Sequence, residues 1–575
     1  MGLCSLLADT RGGRRHFYRL ERKRYQHEWV GLSGDRGAFG VKRAALVLSA
    51  LLLASACSQY RAARAKSKVP HIVLVSIDTL HVNWTGPYNP DVETTPFLDR
   101  FAEEGVRFEH AYTQTPITLP SHAALMTGVT PSSLGVMANG DKLPEEATTL
   151  AEILRDNGYR TAGFISLGVL QPQFGMEQGF DDYHDPFVDG PVRWYRRAHE
   201  IFGPAKKWLE ENRDEPFFLW MHFSDPHEPY VTADAPPDSE LWLDDELVGR
   251  YNLQSVEQHT ARVSLPPGEH RLRFLSLREP RENDRLETAL NLLLLSLDAL
   301  RPYTTDLLTE ANIPLTPFFD VTLRGESETV ELEIVFAGNL ARPTEDDVLP
   351  AYEANVAYTD RFVGELDALL ETHGIRDDTL VVIVSDHGEG LYNHTILGHS
   401  THVYEDQLRI VWMMRGPGLP KGEVIRDRAS LITDVAPTIL DMLELPQDNM
   451  EGQSWAGCWE RDACPETVPW WSYGLTHETR GLTAMAFYHW PYKWVWRRSF
   501  KRIAFDVSRD AWETENLLED PGPHNPEALK EAAESFRAER RRLAKVLEET
   551  RRKSPANANE ELLRSLGYIG GTTKR

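Results

Sequence analysis

Two runs, His71-Ile72-Val73-Leu74-Val75-Ser76-Ile77 and Thr379-Leu380-Val381-Val382-Ile383-Val384-Ser385, constrain this chain more than any other feature. Both are nearly continuous in apolar, β-branched residues, with no polar alternation. A strand of that kind has no face for water and suits a parallel sheet covered by helices on both sides. Each run ends on an acid. Asp78 follows the first, and Asp386-His387-Gly388-Glu389-Gly390 follows the second. Ligands of open α/β sheets bind beyond the carboxyl ends of the strands, so acids at those ends are well placed for a metal.

The surrounding sequence supports the same architecture. Helices are expected over Thr95–Glu104, Thr149–Asn157, Ala351–Thr372 and Asp434–Leu443, and strands over Thr161–Ser166, Pro216–Phe223 and Leu408–Arg415. Strands alternating with helices give an α/β fold, a doubly wound and mostly parallel sheet flanked by helices. The core is expected to be discontinuous, over residues 70–232 and 346–469. Between them, residues 236–345 read as an inserted β-rich, sandwich-like domain, with short alternating segments around turns such as Pro266-Pro267-Gly268-Glu269. An inert insertion and a surface-binding module both fit it. Residues 470–575, rich in Trp and Tyr at their start, read as a small α+β subdomain. Its charged helix near Pro526–Thr550 reads as a solvated face.

The first 57 residues have a different character. Lys42-Arg43 precede an apolar run, Ala44–Ala56, that closes Leu53-Ala54-Ser55-Ala56-Cys57. A basic flank, about a dozen apolar residues and small residues before a cut describe a secretory signal, too short to span a bilayer. Cys directly after the small residues resembles a bacterial lipobox. The expectation is export with a lipid anchor on Cys57, in the periplasm or on the outer surface, and a tether over residues 58–69. A plain signal peptide is the alternative. Because a signal starting this far in is unusual, translation is expected to begin at Val41. The net charge of −25, and the lack of a basic, aromatic-interleaved stripe in the body, exclude a nucleic-acid partner. Cys458 and Cys464 share one short loop, and both a disulfide and two unpaired thiols fit them.

The segment Thr118-Leu119-Pro120-Ser121-His122-Ala123-Ala124-Leu125-Met126-Thr127-Gly128 joins a polar turn to a short apolar helix. Read alone it is a capped helix start. Read with Asp78 and Asp386-His387, the Thr118 hydroxyl faces an anion-attracting helix N-terminus and completes an oxygen and nitrogen set. That set suits Zn²⁺, Mn²⁺ or Ca²⁺. A cation there would favour the Thr118 alkoxide as a nucleophile.

The order of these motifs resembles the sulfatase family of the alkaline-phosphatase superfamily, from about Pro70 to Gly390 and weakly to the end. Val75-Ser76-Ile77-Asp78-Thr79-Leu80 is similar to the family's first metal-binding strand. Thr118-x-Pro120-Ser121-His122-x-x-Leu125-x-Thr127-Gly128 is similar to its Cys/Ser-x-Pro-Ser-Arg-x-x-Leu-x-Thr-Gly signature. Asn139-Gly140, Asn157-Gly158-Tyr159-Arg160-Thr161-Ala162, Asp225-Pro226-His227-x-Pro229-Tyr230 and Ser385-Asp386-His387-Gly388-Glu389 follow in family order. The resemblance implies Asp78, Asp386 and His387 as metal ligands together with Thr118, which is also the nucleophile. It implies His227 as a contact to the substrate anion or a proton acceptor, and His402 as a leaving-group acid or second-metal ligand. His399 falls where many members carry a substrate-binding Lys, and His122 where the signature has Arg; both are assigned to the substrate. Each of these histidines, with His394, also reads as a surface or satisfied core residue.

Three departures bear on the chemistry. Thr118 cannot be oxidised to the aldehyde of formylglycine, His122 weakens the charge of the signature Arg, and Thr79 replaces a second Asp and so disfavours Ca²⁺. The remaining set resembles the zinc sites of the superfamily's Thr-nucleophile phosphodiesterases and phosphotransferases, favouring Zn²⁺ or Mn²⁺. Asp225, His227 and His402 are candidates for a second metal. The expected function is therefore a metal-dependent hydrolase of sulfate or phosphate esters, acting on a small molecule, glycan or lipid head group. The alternatives are a phosphodiesterase or phospho-head-group transferase, and a catalytically inactive glycan-binding relative.

Overall fold

The computed structural model describes residues 71–187, 195–228, 230, 239–251, 258–276, 320–325, 329–337, 345–460, 463–476, 481–497, 503–519 and 526–553. The signal segment, Cys57 and the tether lie outside the described residues. β1 (His71–Ile77) is buried along its whole length, with β5 (Phe217–Phe223) parallel on one side and β6 (Thr379–Ser385) parallel on the other. The nine-stranded sheet continues past β5 through β3 (Arg160–Phe164) to β4 (Asp182–His184). Past β6 it runs through β8 (Trp412–Arg415) and β2 (Val106–Tyr112) to β7 (Arg409–Ile410), and β9 (Glu423–Leu431) also pairs with β2.

β7 and β8, expected as one run over Leu408–Arg415, are two short strands, and β8 is antiparallel to both β6 and β2. A parallel return needs a crossover, usually a helix. The only helix in the connection from β6 is the four-residue Glu405–Leu408, too short for a crossover, and the chain returns antiparallel.

The uniform apolarity of the central strands is used on both faces. Ile72, Leu74, Phe218, Trp220, Leu380, Val382 and Val384 pack towards α2 (Thr118–Thr127), α3 (Leu150–Asp156) and α6 (Val435–Met442). Val73, Val75, Phe217, Leu219, Val381 and Ile383 pack towards α1 (Pro96–Glu103), α4 (Ala198–Asn212) and α5 (Glu345–Thr372). Side chains alternate along a strand, so Ser76, Asp78 and Asp386 follow Leu74 and Val384 on the α2 face. All ten residues of α2 are buried, and Gly128 ends it in the left-handed conformation (φ +65°), its N–H donating to the Ala124 carbonyl.

The insertion shows six strands between Ser239 and Ala337, in a four-stranded sheet and a separate pair. The C-terminal part is a four-stranded antiparallel sheet over Trp470–Asp506, followed by α7 (Pro526–Lys553). α7 is solvated on one side only; Phe536, Leu543 and Leu547 pack with Tyr473, Met485 and Trp494 of the sheet. Cys458 and Cys464 are disulfide-bonded. Among the described residues, no helix is long and apolar enough to cross a membrane.

A buried ion network ties this sheet to the helix behind the Asp386 loop. Fully buried Lys493 Nζ lies 2.7 Å from Glu513 and 3.0 Å from Glu405, and the Tyr488 hydroxyl donates to Glu405 at 2.7 Å. Lys493→Met is expected to destabilise the protein by about 3–5 kcal/mol, because two buried acids lose their cation. Denaturant midpoints check this, and adding Glu405→Gln and Glu513→Gln should recover most of the loss.

Candidate active site

Asp78 follows β1, and its N–H continues the pairing by donating to the Phe223 carbonyl at 2.8 Å. Asp386 and His387 follow β6, and Thr118 opens α2; all four are fully buried. One oxygen each of Asp78 and Asp386 and one imidazole nitrogen of His387 lie within 4.8 Å of one another. Both carboxylate oxygens of Asp78, Asp386 Oδ2, His387 Nε2 and Thr118 Oγ1 have no hydrogen-bond partner in the protein. Buried polar atoms are ordinarily paired, so this gathering of orphan oxygens and a nitrogen fits a divalent cation. The charges say the same: burial and the neighbouring Asp78 push Asp386 well above the carboxylate range. His387 is also prepared as a ligand. Its Nδ1 lies 2.9 Å from the Gly388 carbonyl, which only accepts, so the proton is on Nδ1 and the Nε2 lone pair is free.

Thr79 turns away from this set. Its backbone is left-handed (φ +56°), its hydroxyl donates to the Asp78 carbonyl at 2.7 Å, and its N–H donates to Asp386 Oδ1 at 3.2 Å. The Tyr352 hydroxyl holds that conformation by donating to the Thr79 carbonyl at 2.6 Å.

The Thr118 hydroxyl caps nothing: α2 has no side-chain cap, and Oγ1 is unpartnered. The helix start is held instead by Ser121 and Asn139. Ser121 Oγ donates to the Asp386 carbonyl at 2.6 Å, locking the start of α2 to the Asp386 loop. The Leu119 N–H donates to Asn139 Oδ1 at 3.0 Å, which holds the amide at the start of α2 and leaves its buried NH₂ group without a partner. His122 is fully buried with both nitrogens engaged. Nδ1 lies 2.9 Å from the Thr118 carbonyl and so carries the proton, while Nε2 lies 3.1 Å from the Ser76 hydroxyl, to which Trp220 Nε1 also donates at 2.9 Å.

The structure divides the remaining histidines into two groups. The His399 ring lies 4.6 Å from that of His387 and 5.0 Å from that of His227, and its Nδ1 is 3.2 Å from buried Glu389. The His227 Nδ1 lies 2.7 Å from the Glu228 carbonyl. His402 and His394 stand with Tyr404 instead: His394 stacks on that ring at 3.7 Å, and His402 is 6.2 Å from it with Nδ1 on Thr401 Oγ1. Asp225 accepts from the Ala198 N–H at 2.9 Å and pairs with Arg197, tethering the start of α4. Burial lowers His122 and His387 to about 3 and His399 to about 4, so these rings are neutral. His227 is raised: burial opposes its charge, and Asp78 foremost outweighs that.

One buried residue that sequence reasoning passed over also faces this site. His222 Nε2 lies 3.5 Å from Asp78 Oδ2. Its signal was a lone polar residue in the apolar strand Phe217–Phe223.

Known proteins place this geometry in a family. Residues 70–445 match the model of the sulfatase family. The chain is 25% identical to an N-acetylglucosamine-6-O-sulfatase of Bacteroides thetaiotaomicron over 90% of this chain and 92% of that one. It is 25% identical to human arylsulfatase K over 72% and 69% of the two chains. In fold it is similar to a 2-O GAG sulfatase, with TM-score 0.55, 19% identity and coverage of 88% and 97%. It is also similar in fold to a phosphonate monoester hydrolase of Agrobacterium radiobacter, with TM-score 0.52, 19% identity and coverage of 84% and 96%. The matched span holds Asp78, Thr118 and Asp386-His387 together, and the chain belongs to the sulfatase family, the hydrolases of sulfate esters.

Proposed function

We propose that this protein is a metal-dependent ester hydrolase in which Thr118, not a formylglycine, is the nucleophile. The observation that carries the reading is that Thr118 Oγ1 is buried and unpartnered on a helix start that Ser121 and His122 hold against Asp386, whose Oδ2 is an orphan together with atoms of Asp78 and His387. These residues would hold a divalent cation, Zn²⁺ or Mn²⁺ by their donor types, which when bound supplies charge for ionising the Thr118 hydroxyl and neutralising the substrate anion.

The protein's own groups do the rest. Thr118 Oγ, its proton passing to solvent, attacks sulfur or phosphorus in line. The bond to the leaving oxygen breaks as that oxygen takes a proton from His227, and water later cleaves the threonine ester to release the anion. The Asn139 NH₂ donates to an equatorial oxygen of the transferring group, and His227 and His399 line the side from which the alcohol departs. His122, both of whose nitrogens are engaged, holds the Thr118 carbonyl rather than touching substrate. His402 lies with Tyr404 and Thr401 and is given no step.

The relative aligned over nine-tenths of the chain is named for N-acetylglucosamine 6-sulfate chemistry, which supports a sulfated glycan as substrate. A phosphate ester is the second reading, favoured by one observation: Thr118 cannot supply the aldehyde of formylglycine. Turnover of an aryl sulfate, an aryl phosphate monoester and an aryl phosphodiester, each with Zn²⁺, Mn²⁺ or Ca²⁺, separates the two. No turnover of any ester with any ion removes the hydrolase reading in favour of a glycan-binding protein. On the preferred ester, Asn139→Ala should lower kcat on the order of 10²-fold with little change in KM, as for loss of one preorganised oxyanion donor.

We further propose export with acylation of Cys57. The Cys458–Cys464 disulfide supports an oxidising compartment. Cys57→Ser should move the protein from the membrane to the soluble fraction; a wild-type protein found soluble rules the anchor out.

A further inference from the structure

We propose that His222 is the positioning residue for Asp78, its Nε2–H holding one carboxylate oxygen so that the carboxylate faces the cation. The inference rests on the metal-site reading above and concerns a residue outside the ligand set. β5 is apolar from Phe217 to Phe223 except at this position, and His222 is fully buried. A polar ring inside a sheet is costly unless hydrogen-bonded. The register pairs His222 with Ser76, which puts it on the α2 face, one pleat below Asp78.

The tautomer follows from its other partner. The Ser166 backbone N–H donates to His222 Nδ1 at 3.3 Å, and Ser166 Oγ lies 2.7 Å from the same nitrogen. A backbone N–H cannot accept, so Nδ1 is the acceptor and the ring proton sits on Nε2. Nε2 has no hydrogen-bond partner at ordinary length among the described residues and lies 3.5 Å from Asp78 Oδ2, within reach of a small shift of either side chain. His122 packs edge to face on the ring at 4.8 Å and supports it from the α2 side.

Asp78 needs this support in a way Asp386 does not. Asp386 Oδ1 accepts two backbone N–H groups, from His387 at 2.8 Å and from Thr79 at 3.2 Å. Neither oxygen of Asp78 accepts a hydrogen bond at ordinary length, and His222 Nε2 stands 3.5 Å from Oδ2. Hydrogen bonds to ligating carboxylates typically govern metal affinity by about 10–100-fold. The effect is therefore on ion binding, and saturating ion restores turnover.

The test is calorimetric titration of metal-stripped protein with Zn²⁺ or Mn²⁺. Wild type should bind one ion per chain, His222→Phe about 10–100-fold more weakly, and His222→Gln, which retains a side-chain N–H, close to wild type. Asp78→Ala separates the two levels. If it binds the ion as wild type does, the metal site itself is wrong. If it loses the ion while His222→Phe binds normally, only the role of His222 is overturned. Should His222→Phe not fold, ¹⁵N resonances of the wild-type imidazoles decide. A His222 proton on Nε2 supports the role, and one on Nδ1 overturns it.

Discussion

Thr118→Ala should lose on the order of 10³-fold or more in turnover on every ester the enzyme accepts, with almost no loss of stability. The two halves of that result come from one observation. Thr118 Oγ1 is buried and makes no hydrogen bond in the protein, so removing it breaks nothing in the fold and relieves a desolvated hydroxyl. Were the hydroxyl a helix cap, the same substitution would cost about 0.5–2 kcal/mol and leave chemistry alone. Steady-state kinetics and thermal melts on the same preparation therefore discriminate between nucleophile and cap. Full turnover by Thr118→Ala sinks the nucleophile assignment whatever happens to the melt. Thr118→Ser, which keeps the oxygen, should retain more activity than Thr118→Ala.

The parts of this site legible in the sequence are those that the strand pattern marks. A run such as Ile72–Ile77 admits only a doubly buried strand, so the Asp that follows it stands at the carboxyl end of the sheet by pattern alone. The same holds for Val381–Ser385 and Asp386. What the pattern does not mark is the lateral relation between strands. His222 faces Asp78 only because β5 pairs with β1 in one register, and a one-residue slip would turn its ring to the α4 side. Loop histidines are harder still. His399 and His402 are three residues apart in an irregular segment, with no period to say which one turns inward. The fold brings His399 against His387 and leaves His402 beside Tyr404. Asn139 was visible as part of a motif, but its use depends on the Leu119 N–H fixing the amide, a contact across 20 residues. The antiparallel return of β8 is illegible in the sequence for a similar reason: a short apolar run carries no direction.

Removing the ion by chelation should stop turnover and also destabilise the protein, the second effect being measurable without any substrate. An ion that binds the folded chain alone adds about 2.7 kcal/mol at a free concentration one hundred times its Kd. Its loss here exposes a further cost. Asp78 and Asp386 are both fully buried, and burial with the charge of Asp78 raises Asp386 well above its usual range. In the ion-free protein the pair therefore keeps a proton that the unfolded chain releases at ordinary carboxylate pH. A group whose folded pKa is raised stabilises fully below its unfolded value and loses that contribution as pH rises towards the folded one. Ion-free protein should thus lose stability from about pH 4 upward, whereas the ion-loaded protein, in which the cation replaces the proton, should not. The gap between the two denaturation curves should widen with pH, and ion binding should release protons. Adding back Zn²⁺ or Mn²⁺ should close the gap and restore turnover together. Equal stability with and without ion across that range would mean that Asp78, Asp386 and His387 hold no cation.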